Sequence, residues 1–167
     1  MVREFRVLLL IPFLLKLRVL RGLLLALCIV LLSCKAVGGE LVICDSESGK
    51  VYERRALGDG GEFAIEFIHS VNQSPVRETF KLEGRTIRPV SVRFYAFGAG
   101  MQTDWEAGQT MERDGDAMVI TGFNRAFSEL NYIVGTVSDH LLMIGGETIS
   151  LRDRYGKNAH ITLRSGN

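Results

Sequence analysis

EFAIEFIHSVNQSPVRETFKLE, residues 62–83, decides the fold. Apolar and polar residues alternate on either side of a cluster of Asn, Gln, Ser and Pro. That period of two belongs to β-strands, whose successive side chains point to opposite faces. In residues 62–71, Phe63, Ile65, Phe67, His69 and Val71 share one face, and Glu62, Glu66 and Ser70 share the other. In residues 76–83, Val76, Glu78, Phe80 and Leu82 oppose Arg77, Thr79, Lys81 and Glu83. The two apolar faces are the core faces, and each carries one polar residue, His69 or Glu78.

Asn72-Gln-Ser-Pro75 reads as a four-residue hairpin loop. Val71 then faces Val76, His69 faces Glu78, Phe67 faces Phe80 and Ile65 faces Leu82. A one-residue slip would turn an apolar set to solvent. Directly opposed Cβ atoms lie ~4.5–5.5 Å apart, so the imidazole and the carboxylate can share a charge-assisted hydrogen bond. Such a pair has two readings. It locks the register as a satisfied polar contact, or it anchors a pocket at the hairpin mouth with Ser70 and Asn72 on the rim. Two apolar residues would hold the hairpin at least as well, because desolvating charges is expensive.

Outward from the hairpin the β pattern continues. Glu40–Asp45, Lys50–Arg55, Thr86–Phe97, Asn131–Val137, His140–Ile144, Thr148–Arg152 and Ala159–Leu163 read as strands. Asp114-Gly115 and Gly145-Gly146 are hairpin turns, and Asn124–Leu130 reads as one helical turn capped by Asn124. Ten or so short strands with turns every 8–12 residues predict an all-β fold, an antiparallel β-sandwich or barrel.

A hydrophobic signal or anchor segment precedes that domain. Gly22–Cys34 is an uncharged 13-residue apolar run, short of the ~20 residues that span a bilayer. Arg3, Arg6, Lys16, Arg18 and Arg21 precede it, as in a signal-peptide n-region. Leu31-Leu-Ser-Cys34 resembles a bacterial lipobox, which makes Cys34 a lipidation candidate. Three fates fit this leader: an uncleaved anchor, a lipoprotein, or an ordinary cleaved signal. Each divides the chain into a leader, residues 1–37, and an exported all-β domain, residues 38–167, on the extracytoplasmic side of a bacterial envelope; the anchor and the lipoprotein would also hold it at the cytoplasmic membrane.

Charge and cysteine use narrow the function. Beyond residue 34 the chain carries 15 Lys/Arg against 18 Asp/Glu, a balance of −3 that argues against nucleic acid. Cys44 is the one cysteine after the leader, so neither an internal disulfide nor a CxxC zinc site is expected. It falls in an apolar strand and reads as a small core residue. His69, His140 and His160 have no metal-motif spacing, and no cofactor fingerprint occurs. Phe97-Gly-Ala-Gly-Met101 places Gly98 and Gly100 where bare backbone can approach an anion, or where the chain bends between sheets. No nucleophile elbow occurs, so no catalytic residue is assigned.

Ile68-His-Ser-Val-Asn-Gln-Ser-Pro-Val76 with Glu78, Phe97-Gly-Ala-Gly-Met101, and the later Leu142-Met-Ile-Gly-Gly146 with Ile149-Ser-Leu151 resemble a bacterial domain-of-unknown-function family (eighteen-fifty) over roughly residues 40–152. The resemblance implies small exported or membrane-anchored proteins, often encoded beside permeases of TAXI-type TRAP transporters. It carries no activity. It implies an accessory of a solute transporter that binds the solute, the solute-binding protein or the permease. The residues leave two alternatives: a stand-alone ligand-binding β-domain of the envelope, and a metal-dependent hydrolase centred on His69 and Glu78. The candidate ligand-binding set is His69, Ser70, Asn72, Glu78, Gly98, Gly100 and Met101.

Overall fold

The computed structural model describes residues 39–57, 60–96 and 106–166. Among them are eleven strands and one short helix: β1 (Glu40–Asp45), β2 (Val51–Ala56), β3 (Glu62–Ile68), β4 (Pro75–Glu83), β5 (Thr86–Phe94), β6 (Thr110–Asp114), β7 (Ala117–Thr121), β8 (Glu129–Ile133), β9 (His140–Ile144), β10 (Glu147–Ser150), α1 (Leu151–Tyr155) and β11 (His160–Ser165). They form a four-stranded sheet, β2-β1-β11-β8, and a seven-stranded sheet, β10-β9-β3-β4-β5-β7-β6. Every pairing is antiparallel. The fold is a β-sandwich.

The alternation in the sequence builds the core. Phe63 and Ile65 of β3 and Phe80 and Leu82 of β4 meet Leu41 and Ile43 of β1 and Ile161 and Leu163 of β11 between the sheets. Eight apolar side chains removed from water at ~25 cal/mol per Å² are the main drive for the sheets to close. Cys44 is buried in β1, its thiol 3.6 Å from the Thr162 carbonyl oxygen, as its apolar setting predicts.

The hairpin β3–β4 differs from the expected register. Ile68 faces Pro75, Phe67 faces Val76, Ile65 faces Glu78 and Phe63 faces Phe80. The His69–Glu78, Phe67–Phe80, Ile65–Leu82 and Val71–Val76 pairs do not form. The displacement is even, so the residues that remain in β3 and β4 keep their predicted faces, and alternation alone cannot choose between the two registers. His69 and Val71, expected on the inward face, fall instead in the loop, where Val71 is exposed. The loop chooses. His69 lies beyond the strand, its N–H donates to the Ser74 carbonyl, and its own carbonyl accepts from Gln73 N–H, both at 2.9 Å. Asn72 Oδ1 accepts from the N–H and the hydroxyl of Ser74, and Gln73 takes a left-handed φ of 51°. Four loop residues become six, running from His69 to Ser74.

Two further expectations change. Residues 124–128 form no helical turn: Phe127 pairs with Ile87 in an isolated bridge, with reciprocal N–H···O contacts of 2.8 Å, and β8 follows. The stretch read as a strand over Thr148–Arg152 ends at Ser150, whose hydroxyl accepts from Asp153 N–H at 2.9 Å and caps α1. A serine followed three residues on by an acid is a helix-start signature that the apolar alternation hid.

Between Thr79 and Phe80 the β4–β5 register shifts. Pro89, which has no N–H to donate, lies at this bulge and not in a regular ladder. Bulges bend a strand and re-aim its side chains, and this one adjoins the site described next.

Gly122 has φ +79°, and a Cβ there would fall 2.1 Å from the Gly108 carbonyl oxygen. Gly122→Ala therefore meets both left-handed strain and a backbone clash. It is expected to lower unfolding free energy by about 1–3 kcal/mol in urea melts. A neutral result would mean that the β7–β8 connection does not hold this conformation.

Candidate functional site

Glu78 occupies an inward position on β4, between Ile65 of β3 and Val92 of β5. The prediction that it faces the core holds. Its partner comes from the other sheet. Tyr132 on β8 lies opposite the buried Ile161 of β11 and donates its hydroxyl proton to Glu78 Oε2 at 2.8 Å. One hydrogen bond thus crosses the sandwich. Among the described residues, Oε1 has no such partner.

Burial pushes the Glu78 carboxyl above its ordinary value, and the Tyr132 hydrogen bond only partly offsets it. Burial, and then the neighbouring carboxylate charge, pushes the Tyr132 phenol well above the ordinary range. Tyr132 is thereby fixed as a proton donor and cannot act as a base near neutral pH.

Glu78 and Tyr132 line a pocket of about 280 Å³. Phe80, Pro89, Val92, Phe123, Phe127 and Leu130 supply its apolar wall. Arg125 also reaches it, partly exposed and ion-paired with Glu106. An apolar concavity with few polar groups is the usual form of a small-molecule site.

His69 stands elsewhere. It lines a second cleft of about 540 Å³ with Phe67, Ile68, Ser70, Val137, Ser138 and His140. Its Nδ1 accepts from Val71 N–H at 3.3 Å. Ser70 is exposed, and its carbonyl accepts from Gln73 Nε2 at 2.6 Å. Asn72 Nδ2 donates to the Ala96 carbonyl at 2.9 Å, tying the β3–β4 loop to the end of β5. The glycine block with Gly98, Gly100 and Met101 follows directly, and it lies outside the described residues, as do Cys34 and the rest of the leader. Among the described residues no group of three or more His, Cys, Asp or Glu gathers as metal ligands would, and no helix is long and apolar enough to cross a membrane.

His140 joins the two cavities. Its ring stacks on Phe67, with centroids 5.1 Å apart, and tilts against Tyr132 at 5.9 Å. Its Nδ1 accepts from Gly135 N–H at 3.3 Å, so the neutral ring carries its proton on Nε2. Burial lowers its pKa below the ordinary 6.5, against the opposing pull of Asp139. A depressed histidine favours the fold while neutral. The unfolded chain takes the proton first, so the contribution is present above pH 6.5 and is lost as pH falls through that value towards the lowered folded one. The ring is partly exposed to solvent, which holds the loss below about 1 kcal/mol. His140→Phe is expected to flatten the pH dependence of Tm below 6.5, and an unchanged slope would remove His140 as its source.

Tyr132, Phe123, Phe127 and His140 were not singled out from sequence. Tyr132 left a faint signal: it shares its strand face with Leu130 and Val134, and a buried tyrosine usually finds a partner for its hydroxyl.

Residues 63–151 match the model of a protein family described as Domain of unknown function (DUF1850). No curated protein and no solved structure matches the chain. The matched span begins inside β3 and ends at Leu151. It takes in β4 and β8, and with them both Glu78 and Tyr132.

Proposed function

The chain belongs to the family described as Domain of unknown function (DUF1850), and from that premise we propose that its sandwich is a binding domain rather than an enzyme: a membrane-anchored, extracytoplasmic accessory of a solute transporter of the TAXI-type TRAP class. In this reading the Glu78–Tyr132 pocket takes a small solute, and the loop end of the sandwich meets a membrane-embedded transporter subunit.

The observation that carries the reading is the unshared Oε1 of Glu78 in an apolar pocket between two sheets. A carboxylate there costs the fold more than a neutral side chain would. A folded-state pKa raised above 4.5 means a penalty that is absent below 4.5 and develops as pH rises through the folded value. A group that weakens the fold at neutral pH is accounted for by binding. For the loop end, the supporting observation is the exposure of Ile68, Val71 and Val137, the last at 93%. Ile68 N–H donates to Ser138 Oγ at 3.0 Å, which holds the two loops together. The transporter assignment draws on the gene neighbourhood that the family resemblance implies, and the leader supplies the anchor.

A stand-alone envelope binding domain would share the pocket and lack the subunit contact. A hydrolase centred on His69 and Glu78 has no support in the geometry, because the two residues line different cavities.

Glu78→Gln keeps the acceptor for Tyr132 and removes the charge. It is expected to leave urea-melt stability at pH 7 equal or higher and to weaken solute capture. Capture of transporter subunits from native membranes by the full-length chain should persist in Glu78→Gln and fall in Val137→Asp. A variant Glu78→Gln that loses several kcal/mol while solute capture is unchanged would mark Glu78 as purely structural.

A further inference from the structure

We infer that the Glu78 pocket takes a compact organic ammonium group, a protonated amine carried on an apolar body. This inference rests on the reading of that pocket as a ligand site, and it assigns the chemistry of what enters. Three features of the wall carry it. The first is the sign of the unpaired charge among the described residues. Among the described residues, Glu78 and Arg125 are the ionisable groups of the wall besides the Tyr132 phenol, and Arg125 is already ion-paired with Glu106. His140 lies behind the Tyr132 ring and faces the other cleft. The pocket therefore presents one uncompensated carboxylate, and an anionic ligand would meet like charge in a low-dielectric setting.

The second feature is the hydrogen-bond inventory. Oε2 is taken by the Tyr132 hydroxyl, and Oε1 is left as an acceptor with no protein donor among the described residues. An ammonium N–H supplies the missing donor and the missing charge together, as a charge-assisted bond. An alcohol supplies the donor alone.

The third feature is the remaining wall. Phe80, Phe123, Phe127 and Tyr132 line the same pocket as the carboxylate. Aromatic faces attract a cation when water is excluded, and they accept the apolar remainder of an amine. A volume of about 280 Å³ limits the guest to a small molecule.

Benzylamine, benzyl alcohol and benzoate share one skeleton and differ in the group offered to Glu78. Titrated into isotope-labelled protein at pH 7 and followed by NMR, benzylamine is expected to shift Phe123, Phe127 and Tyr132 signals. It should bind at least about tenfold more tightly than either of the others. Glu78→Gln, checked for native fold by its dispersed spectrum and its Tm, should erase that preference. If the alcohol or benzoate binds the pocket as tightly as the amine, or if Glu78→Gln leaves the preference intact, the ammonium assignment is overturned while the pocket remains a ligand site. If none of the three shifts the pocket signals, both the assignment and the ligand-site reading fall.

Discussion

Phe80→Ala is expected to lower the free energy of unfolding by about 3–5 kcal/mol, the range for emptying a large aromatic side chain from a packed core. Phe80 is 6% exposed. Its ring stacks on Phe63 with centroids 5.5 Å apart and planes 26° apart. Cross-strand pairing places the two residues opposite each other in β3 and β4, so the variant tests the register as well as the packing. In the register that loop chemistry rejects, Phe80 would face Phe67 instead. Phe63→Ala should then be non-additive with Phe80→Ala, because each variant removes the other's neighbour, while Phe67→Ala should add more nearly in full. Phe80 also lines the Glu78 pocket, so the amine should bind the variant more weakly. Urea melts with an unchanged m-value would assign the loss to the native state. A loss under about 1 kcal/mol would mean that the inner face of β4 is not packed as described.

Tyr132→Phe should lower stability at pH 7 by about 1–3 kcal/mol, the cost of leaving a buried acceptor without its donor. The sign with pH is fixed. Without the hydroxyl, the folded-state pKa of Glu78 rises further above 4.5, since burial stays and the one opposing influence is gone. The added penalty falls on the charged form. It is present at neutral pH and shrinks as pH falls through the raised folded-state value and Glu78 takes up a proton. Glu78→Gln combined with Tyr132→Phe should be milder than the sum of the single changes, with a coupling of about 1 kcal/mol. The same cycle between Glu78 and His69 should show no coupling, because the two line separate cavities.

How much of this was legible in the residues follows from what alternation encodes. It encodes face, so the inward placement of Glu78 and the inner faces of β3 and β4 could be read directly, while the burial of Cys44 could be read from the unbroken apolar run of β1. Gly145-Gly146 could be read because a two-residue hairpin turn of this type needs left-handed φ at both positions, and it has 59° and 83°. Alternation does not encode even shifts of register or where a strand ends, and so the His69–Glu78 pair failed while Phe63, Ile65, Glu78, Phe80 and Leu82 stayed on their predicted face. The deciding terms were hydrogen bonds among His69, Asn72, Gln73 and Ser74, which are specific to loop geometry and have no period. Nor does alternation encode which strand of the opposite sheet lies across the core. Tyr132 is 54 residues from Glu78, and only the packing of β8 against β4 and β5 brings them together. The Ser150 cap was written in the sequence and was outweighed by its apolar neighbours. Membership in a family without a described activity left the chemistry to be argued from the site.

The most direct test of the account is the titration of Glu78 itself, read from the ¹³C shift of its side-chain carboxyl in the free protein and with benzylamine in the pocket. A midpoint above 4.5 is expected in the free protein, moving down when the ammonium group binds, because a cation beside Oε1 favours the charged form. A midpoint at or below 4.5, or one that the amine leaves in place, would contradict it.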